Sequence, residues 1–126
     1  MLKPEHRAKL IDQHFRLNNL YYITDKNGKQ VKFKMTLEQL EYFENEWSRN
    51  IILKARQLGF STAIDIYLLD EALFNKNLKC GIIAQDRTAA GEIFRTKIEI
   101  PFDNLPSWLK STFPIESRRG GASGGY

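Results

Sequence analysis

Ile51-Ile52-Leu53-Lys54-Ala55-Arg56-Gln57-Leu58-Gly59-Phe60-Ser61-Thr62 is the stretch whose reading decides the fold. Three strand-favouring apolar residues run into a polar loop. Beyond the loop, Ser61-Thr62 open a long apolar segment through Ile64, Ile66, Leu68, Leu69 and Phe74 that reads as a largely buried helix. Strand, loop and helix in this order are the setting of a phosphate-binding loop, written G-x-x-x-x-G-K-[ST]. That chemistry needs backbone N–H groups converging on phosphate oxygens, a cation for the terminal phosphates and a hydroxyl for Mg²⁺. Gly59 and Ser61 match the second glycine and the hydroxyl, whereas Lys54 stands at the first glycine and Phe60 replaces the lysine. Lys54 and Arg56 are the two cations able to restore the missing charge from inside the loop. The competing reading of the same residues is an ordinary strand-to-helix loop with two solvated cations.

Working outward, Cys80-Gly81-Ile82-Ile83-Ala84 is a second continuous apolar run suited to a strand covered on both faces. Asp86 is placed to cap a helix from about Thr88 to Glu99, stopped by Pro101, and Leu105–Leu109 reads as a short helical turn. Strand, loop, helix, strand and helix together predict a parallel βαβ unit. On the N-terminal side, Thr36-Leu37-Glu38-Gln39 has the form of a capping box. The helix it opens, to about Trp47, carries Leu37, Leu40, Phe43 and Trp47 on one stripe. Upstream, Leu20–Thr24 and Gln30–Lys34 flank Asp25-Lys26-Asn27-Gly28-Lys29, whose Asn-Gly pair suits a tight hairpin. Val31, Phe33 and Met35 alternate with lysines there, so one face of the hairpin is wet. Glu5 to Leu17 predicts one amphipathic helix with Pro4 in its first turn.

The predicted fold class is therefore α/β: an N-terminal helix and β-hairpin over residues 1–35, then over 36–114 the first βαβ unit of a P-loop-like parallel sheet, which the resemblance given below implies is a partial P-loop ATPase domain. Residues 115–126, with Arg118-Arg119 and four glycines, read as a flexible tail. The chain has 126 residues, 42% hydrophobic and 27% charged, which excludes wholesale disorder, collagen-like repeats and a disulfide scaffold. Nineteen Lys and Arg against fifteen Asp and Glu leave a formal +4, which permits an anionic partner without establishing one. The single cysteine, Cys80, fits a reducing compartment. No apolar run approaches the roughly 20 residues of a membrane span, so no membrane partner is expected.

The loop resembles the variant Walker A loop of the large terminase subunits of tailed bacteriophages, in which the catalytic lysine has moved to the first loop position and an Arg-x-x-Gly segment follows. Lys54, Arg56, Gly59, Ser61 and Thr62 match that arrangement. Gln39 sits where the family places an adenine-sensing glutamine, and Cys80–Asp86 with the following helix is similar to the family's second strand and helix. The likeness covers about Thr36 to Pro114. It implies ATP and Mg²⁺ as ligands, with Gln39 and residues Lys54, Ala55, Arg56, Gln57, Leu58, Gly59, Phe60, Ser61 and Thr62 at the nucleotide. Lys54 and Arg56 would lie on phosphates and Ser61 on Mg²⁺. It further implies viral double-stranded DNA, a portal protein and a small terminase subunit as partners, in the cytoplasm of a bacterial host. The family's second acidic motif, a strand ending in paired carboxylates, has no counterpart after Ala84, and its nuclease domain has none in these residues. The sequence thus reads as the opening part of a motor ATPase, with hydrolysis not expected from it alone.

Other candidates have plainer readings. Gln39 serves the capping box whether or not it meets adenine. Asp86 and Arg87 lie at the edge where ligands bind in open α/β sheets, although a capping Asp suffices to explain the pair. His6 and His14 lack further ligands for a metal, and Cys80 reads as a core residue. Tyr21, Tyr22 and Phe33 beside Lys32 and Lys34 could form a basic, aromatic nucleic-acid surface. With Arg118-Arg119 they support the alternative of a non-enzymatic nucleic-acid- or protein-binding module.

Overall fold

The computed structural model describes residues 4–53 and 59–114. Helix α4 (Phe60–Phe74) is the central element. It buries Ala63, Ile66 and Leu69, three residues apart on one face, against Leu17, Tyr21, Phe33, Phe43, Leu105 and Leu109. Asp65 and Asp70, two of its three carboxylates, are also buried.

The N-terminal region is two helices rather than the one predicted, α1 (Pro4–Lys9) and α2 (Gln13–Asn19). The break has a local cause. Asp12 leaves helical geometry, and its carboxylate accepts from the His14 amide at 3.0 Å as the cap of α2. The carbonyls of Leu10 and Ile11, lost to the helix at the break, accept from Arg16 Nη1 at 2.8 and 3.1 Å.

The hairpin forms as predicted. Strands β1 (Tyr22–Thr24) and β2 (Gln30–Lys32) pair antiparallel with Tyr22 opposite Lys32. In the turn, Asp25 Oδ1 accepts from the amides of Asn27 and Lys29, and Gly28 takes a φ of 76°. Phe33 is buried and Val31 half-buried, while Tyr22, Thr24, Gln30, Lys32 and Lys34 face solvent.

Helix α3 (Leu37–Asn45) opens with the full capping box: the Gln39 amide donates to Thr36 Oγ1 and the Thr36 amide to Gln39 Oε1. It ends two residues before the expected Trp47. Glu46 turns extended, and Trp47 and Asn50 then exchange hydrogen bonds, Trp47 N to Asn50 Oδ1 and Asn50 Nδ2 to Trp47 O. A side-chain amide here outcompetes the helical ladder. Trp47 is consequently 79% exposed rather than part of the buried stripe, and Leu37 is exposed too.

The predicted parallel strand pair is not present among the described residues, whose only strands are β1 and β2. Neither Ile51–Leu53 nor Cys80–Ala84 joins a ladder. A parallel strand is stable when neighbours bond both its edges and layers cover both its faces. Here Ile51 and Leu53 are each 99% exposed and Ile83 98%. What stands is the coarser class, a mixture of helices with one small sheet.

After Asp86, whose carboxylate caps α5 (Arg87–Phe94) by accepting from the Ala89 amide at 2.8 Å, the helix widens into a π-helical segment, Arg95–Glu99. It resumes as α6 (Ile100–Asp103) instead of stopping at Pro101. Pro101 falls in the first turn of the resumed helix, where its missing N–H costs least. Helix α7 (Ser107–Thr112) matches the predicted short turn. The tail from residue 115 lies outside the described residues. Among the described residues no helix is long and apolar enough to cross a membrane.

Candidate site at the N-terminus of helix 4

Of the expected nucleotide-binding residues, Lys54, Ala55, Arg56, Gln57 and Leu58 lie outside the described residues. Gln39, Gly59, Phe60, Ser61 and Thr62 are described, and the fold brings them together. Gly59 precedes α4 with φ 72°, ψ 11°, the left-handed region that favours glycine. A Cβ on it would also stand 3.0 Å from Gln39 Nε2. That nitrogen donates to the Gly59 carbonyl at 3.1 Å, so the buried Gln39 side chain links the cap of α3 to the start of α4. Its amide is thereby engaged on both atoms by backbone groups, Oε1 by Thr36 and Nε2 by Gly59.

Phe60, where the usual loop carries lysine, is buried with its ring edge-on to Tyr42 at 6.1 Å. Its role is packing. Ser61 is exposed, and the first amides of a helix have no intrahelical acceptor. Thr62 Oγ1 accepts from Lys97 Nζ at 2.5 Å, a cation delivered by the π-helical segment that the sequence pattern did not reveal. One turn further, burial pushes the Asp65 carboxyl up to about 6, against the opposing pull of Lys97.

Raising an acid's pKa on folding makes the native state bind more protons than the unfolded chain. Stability from this group is thus greatest below pH 3.8, declines as pH rises towards 6 and stays reduced above it. Asp65→Asn removes the charge at constant shape. In urea titrations it is expected to be more stable than wild type by on the order of 2 kcal/mol at about pH 8, and nearly equal at about pH 4. An effect of the same size at both pH values would contradict the assignment.

Beside this helix start lies an open cleft of about 560 Å³ between α3 and α4. Its floor is aromatic: the Phe43 and Tyr67 rings stack at 5.1 Å with 23° between planes, and Tyr42 meets Phe43 edge-on. Glu46, Trp47 and Asn50 form the rim, and Glu46 Oε1 accepts from the Tyr67 hydroxyl at 3.1 Å.

A second polar cluster is structural. Asp70 is fully buried and receives Arg16 Nε at 3.0 Å and Nη2 at 2.8 Å, and the Tyr21 hydroxyl at 2.6 Å. Burial disfavours the guanidinium, but the Asp70 bonds and charge outweigh it and raise Arg16 above its usual value. Burial, then the Asp70 charge and hydrogen bond, hold Tyr21 protonated.

The remaining candidates separate. Asp86 is a cap, as its plain reading had it, and Arg87 is exposed. Cys80 is exposed rather than in the core, with partial desolvation and Glu71 raising its thiol, so it is not an activated nucleophile. Among the described residues no group of three or more His, Cys, Asp or Glu side chains could hold a metal. Comparison with protein-family models, curated proteins and solved structures finds no match for this chain.

Proposed function

We propose that this chain is the nucleotide-binding opening part of a DNA-packaging motor ATPase of the large-terminase-subunit type, taking ATP with Mg²⁺ on the loop Lys54–Thr62. The observation that carries the reading is the left-handed Gly59 directly before the 15-residue helix α4, tied through its carbonyl to Gln39. A helix start of this kind offers amides and a positive dipole end to phosphate oxygens.

In this reading Lys54 and Arg56 supply the positive charge on the phosphates, since the buried Phe60 cannot. Backbone amides from Ala55 to Phe60 approach the phosphates, and Gly59 allows that approach to be close. The exposed Ser61 hydroxyl suits Mg²⁺, an ion that keeps several waters and binds chiefly through phosphate oxygens. When bound, the ion neutralises phosphate charge. Ile51–Leu53 and Cys80–Ala84 are, in this reading, strands of the motor's parallel sheet, and their exposed side chains are the surface such a sheet covers. The partners are those of the motor: double-stranded DNA, a portal protein and a small subunit, inside a bacterial host.

After Ala84 the sequence has no apolar run ending in paired carboxylates to activate water, and the Asp70-Glu71 pair that follows Ile66–Leu69 lies on helix α4, with Asp70 held by Arg16 and Tyr21. Phosphate release by the chain alone is therefore expected to be negligible despite MgATP binding. DNA-independent turnover of roughly 1 s⁻¹ or faster would contradict that, and failure to bind MgATP would remove the reading altogether. A second reading, a nucleic-acid-binding module, is favoured by the outward hairpin face, where Tyr22 and Lys32 oppose each other beside Lys34. It requires salt-sensitive DNA binding that ignores Lys54 and weakens when Lys32 and Lys34 are neutralised.

A further inference from the structure

The cleft between α3 and α4 is acidic as well as aromatic. Helix α3 carries Glu38, Glu41 and Glu44 and no Lys or Arg, and Glu46 follows as its C-cap residue. Tyr42 and Glu46, one turn apart, both line the cleft, whereas no Lys, Arg or His among the described residues does. Arg49 stands in the turn that forms the rim but is not part of the lining. The negative field registers on two phenols. Burial and then the Glu46 charge push Tyr42 up; burial, then Glu46 and Glu71, push Tyr67 up. Glu71 has both carboxylate oxygens occupied, Oε1 by Gln13 and Oε2 by Asn75. Glu46 differs. Its Oε1 accepts from Tyr67, its Oε2 has no hydrogen-bond donor, and no cation is paired with it among the described residues.

Beside that carboxylate stands the Trp47 indole, 79% exposed, with its backbone held by the reciprocal Asn50 bonds. A large exposed ring at the rim of a cleft is the kind of surface that a partner covers. Half-buried Ile64 and Leu68 supply an apolar wall on the α4 side. An arginine meets both polar and aromatic demands at once, because its planar guanidinium lies flat on an indole while two of its N–H groups fork onto a carboxylate. A lysine ammonium is a point charge without that fork. The cleft, at about 560 Å³, is larger than one side chain and leaves room for a neighbouring residue.

We propose that this cleft docks an arginine-bearing segment of a partner protein. The guanidinium stacks on Trp47 and forks on Glu46, and an aliphatic neighbour packs on Ile64 and Leu68. The contact uses neither the phosphate loop nor Gln39, so it is independent of the nucleotide-binding reading.

Fluorescence anisotropy of a labelled peptide, Gly-Ser-Leu-Arg-Leu-Gly-Ser, titrated with the full chain tests it, alongside the same peptide with lysine or uncharged citrulline at the centre. Wild type is expected to bind the arginine peptide with a Kd of about 100 µM or tighter, and the citrulline form about tenfold or more weakly, with lysine between them. Glu46→Gln and Trp47→Ala, both changes of exposed side chains whose fold circular dichroism checks, should each weaken the arginine peptide about tenfold or more. Glu44→Gln, which removes an α3 charge outside the lining, should stay within about twofold. No binding by wild type overturns the proposal, as does equal binding of the citrulline peptide. A Glu44→Gln loss as large as that of Glu46→Gln would reduce the contact to diffuse attraction and also overturn it. Displacement of the peptide by MgATP would assign the cleft to the nucleotide instead. If Arg118→Gln with Arg119→Gln tightens the peptide about tenfold, the chain's own arginines fill the cleft. If sedimentation shows self-association that the peptide breaks, a second copy fills it. Either result overturns the partner assignment.

Discussion

Asp70→Ala is expected to destabilise the fold by about 3–5 kcal/mol, the range for removing one partner of a buried ion pair. Three losses coincide. The largely buried Arg16 guanidinium, 4.3 Å from the Phe74 ring centroid, keeps its charge without its carboxylate partner. The buried Tyr21 hydroxyl loses its acceptor. Gln13, which donates to Asp70 at 3.4 Å and to Glu71 at 2.6 Å, loses half of its link between α2 and α4. For a domain whose whole stability is typically 5–15 kcal/mol, that loss removes a large fraction of it. Replacing the cluster together, Arg16→Met with Asp70→Leu and Tyr21→Phe, is expected to recover most of the loss, since well-packed apolar groups often substitute for a buried pair at little net cost. Urea unfolding followed by circular dichroism measures both. A single change costing less than about 1 kcal/mol would show that the cluster is wetter than its burial indicates.

The sequence discloses those parts of the fold that are governed by near neighbours. Asn27-Gly28 and the alternation of Val31 and Phe33 with lysines define the hairpin, because turn chemistry and strand period are local. Thr36 with Gln39, and Asp86 with the Ala89 amide, are capping arrangements within three residues. Distant partners left no such trace. Asp65 and Asp70 are charges on a largely apolar helix with no partner nearby in the sequence, yet Asp70 is answered by Arg16 from 54 positions away. That same arginine supports the break at Leu10–Asp12 by taking two carbonyls, so a periodicity argument joined α1 and α2 across it.

Trp47 was misread for a related reason: Asn50, three residues on, competes with the helix for its backbone. The widening at Arg95–Glu99 that carries the helix past Pro101, and with it the placement of Lys97 on Thr62, has no signature in residue spacing. At the candidate site, glycine, serine and the glutamine upstream were legible as types, and the Gln39–Gly59 bond is where tertiary structure joins them. The cleft was not legible, because its floor comes from Phe43 and Tyr67 on different helices. The two apolar runs show the opposite failure, since strand-forming composition does not make a strand without a neighbour to pair with.

The functional account depends on the charge at position 54. Phe60 packs edge-on to the Tyr42 ring, and Lys97 is hydrogen-bonded to Thr62. In the proposed reading Arg56 serves one phosphate, and a triphosphate calls for more than a single cation. Removing the lysine should therefore cost the charge-assisted contact. Lys54→Ala is expected to keep its unfolding midpoint and to lose about 100-fold or more in MgATP affinity. The most direct test is isothermal titration of MgATP into wild type and Lys54→Ala side by side. Binding by wild type that collapses in the variant is the predicted result, and equal affinities in the two proteins would contradict it.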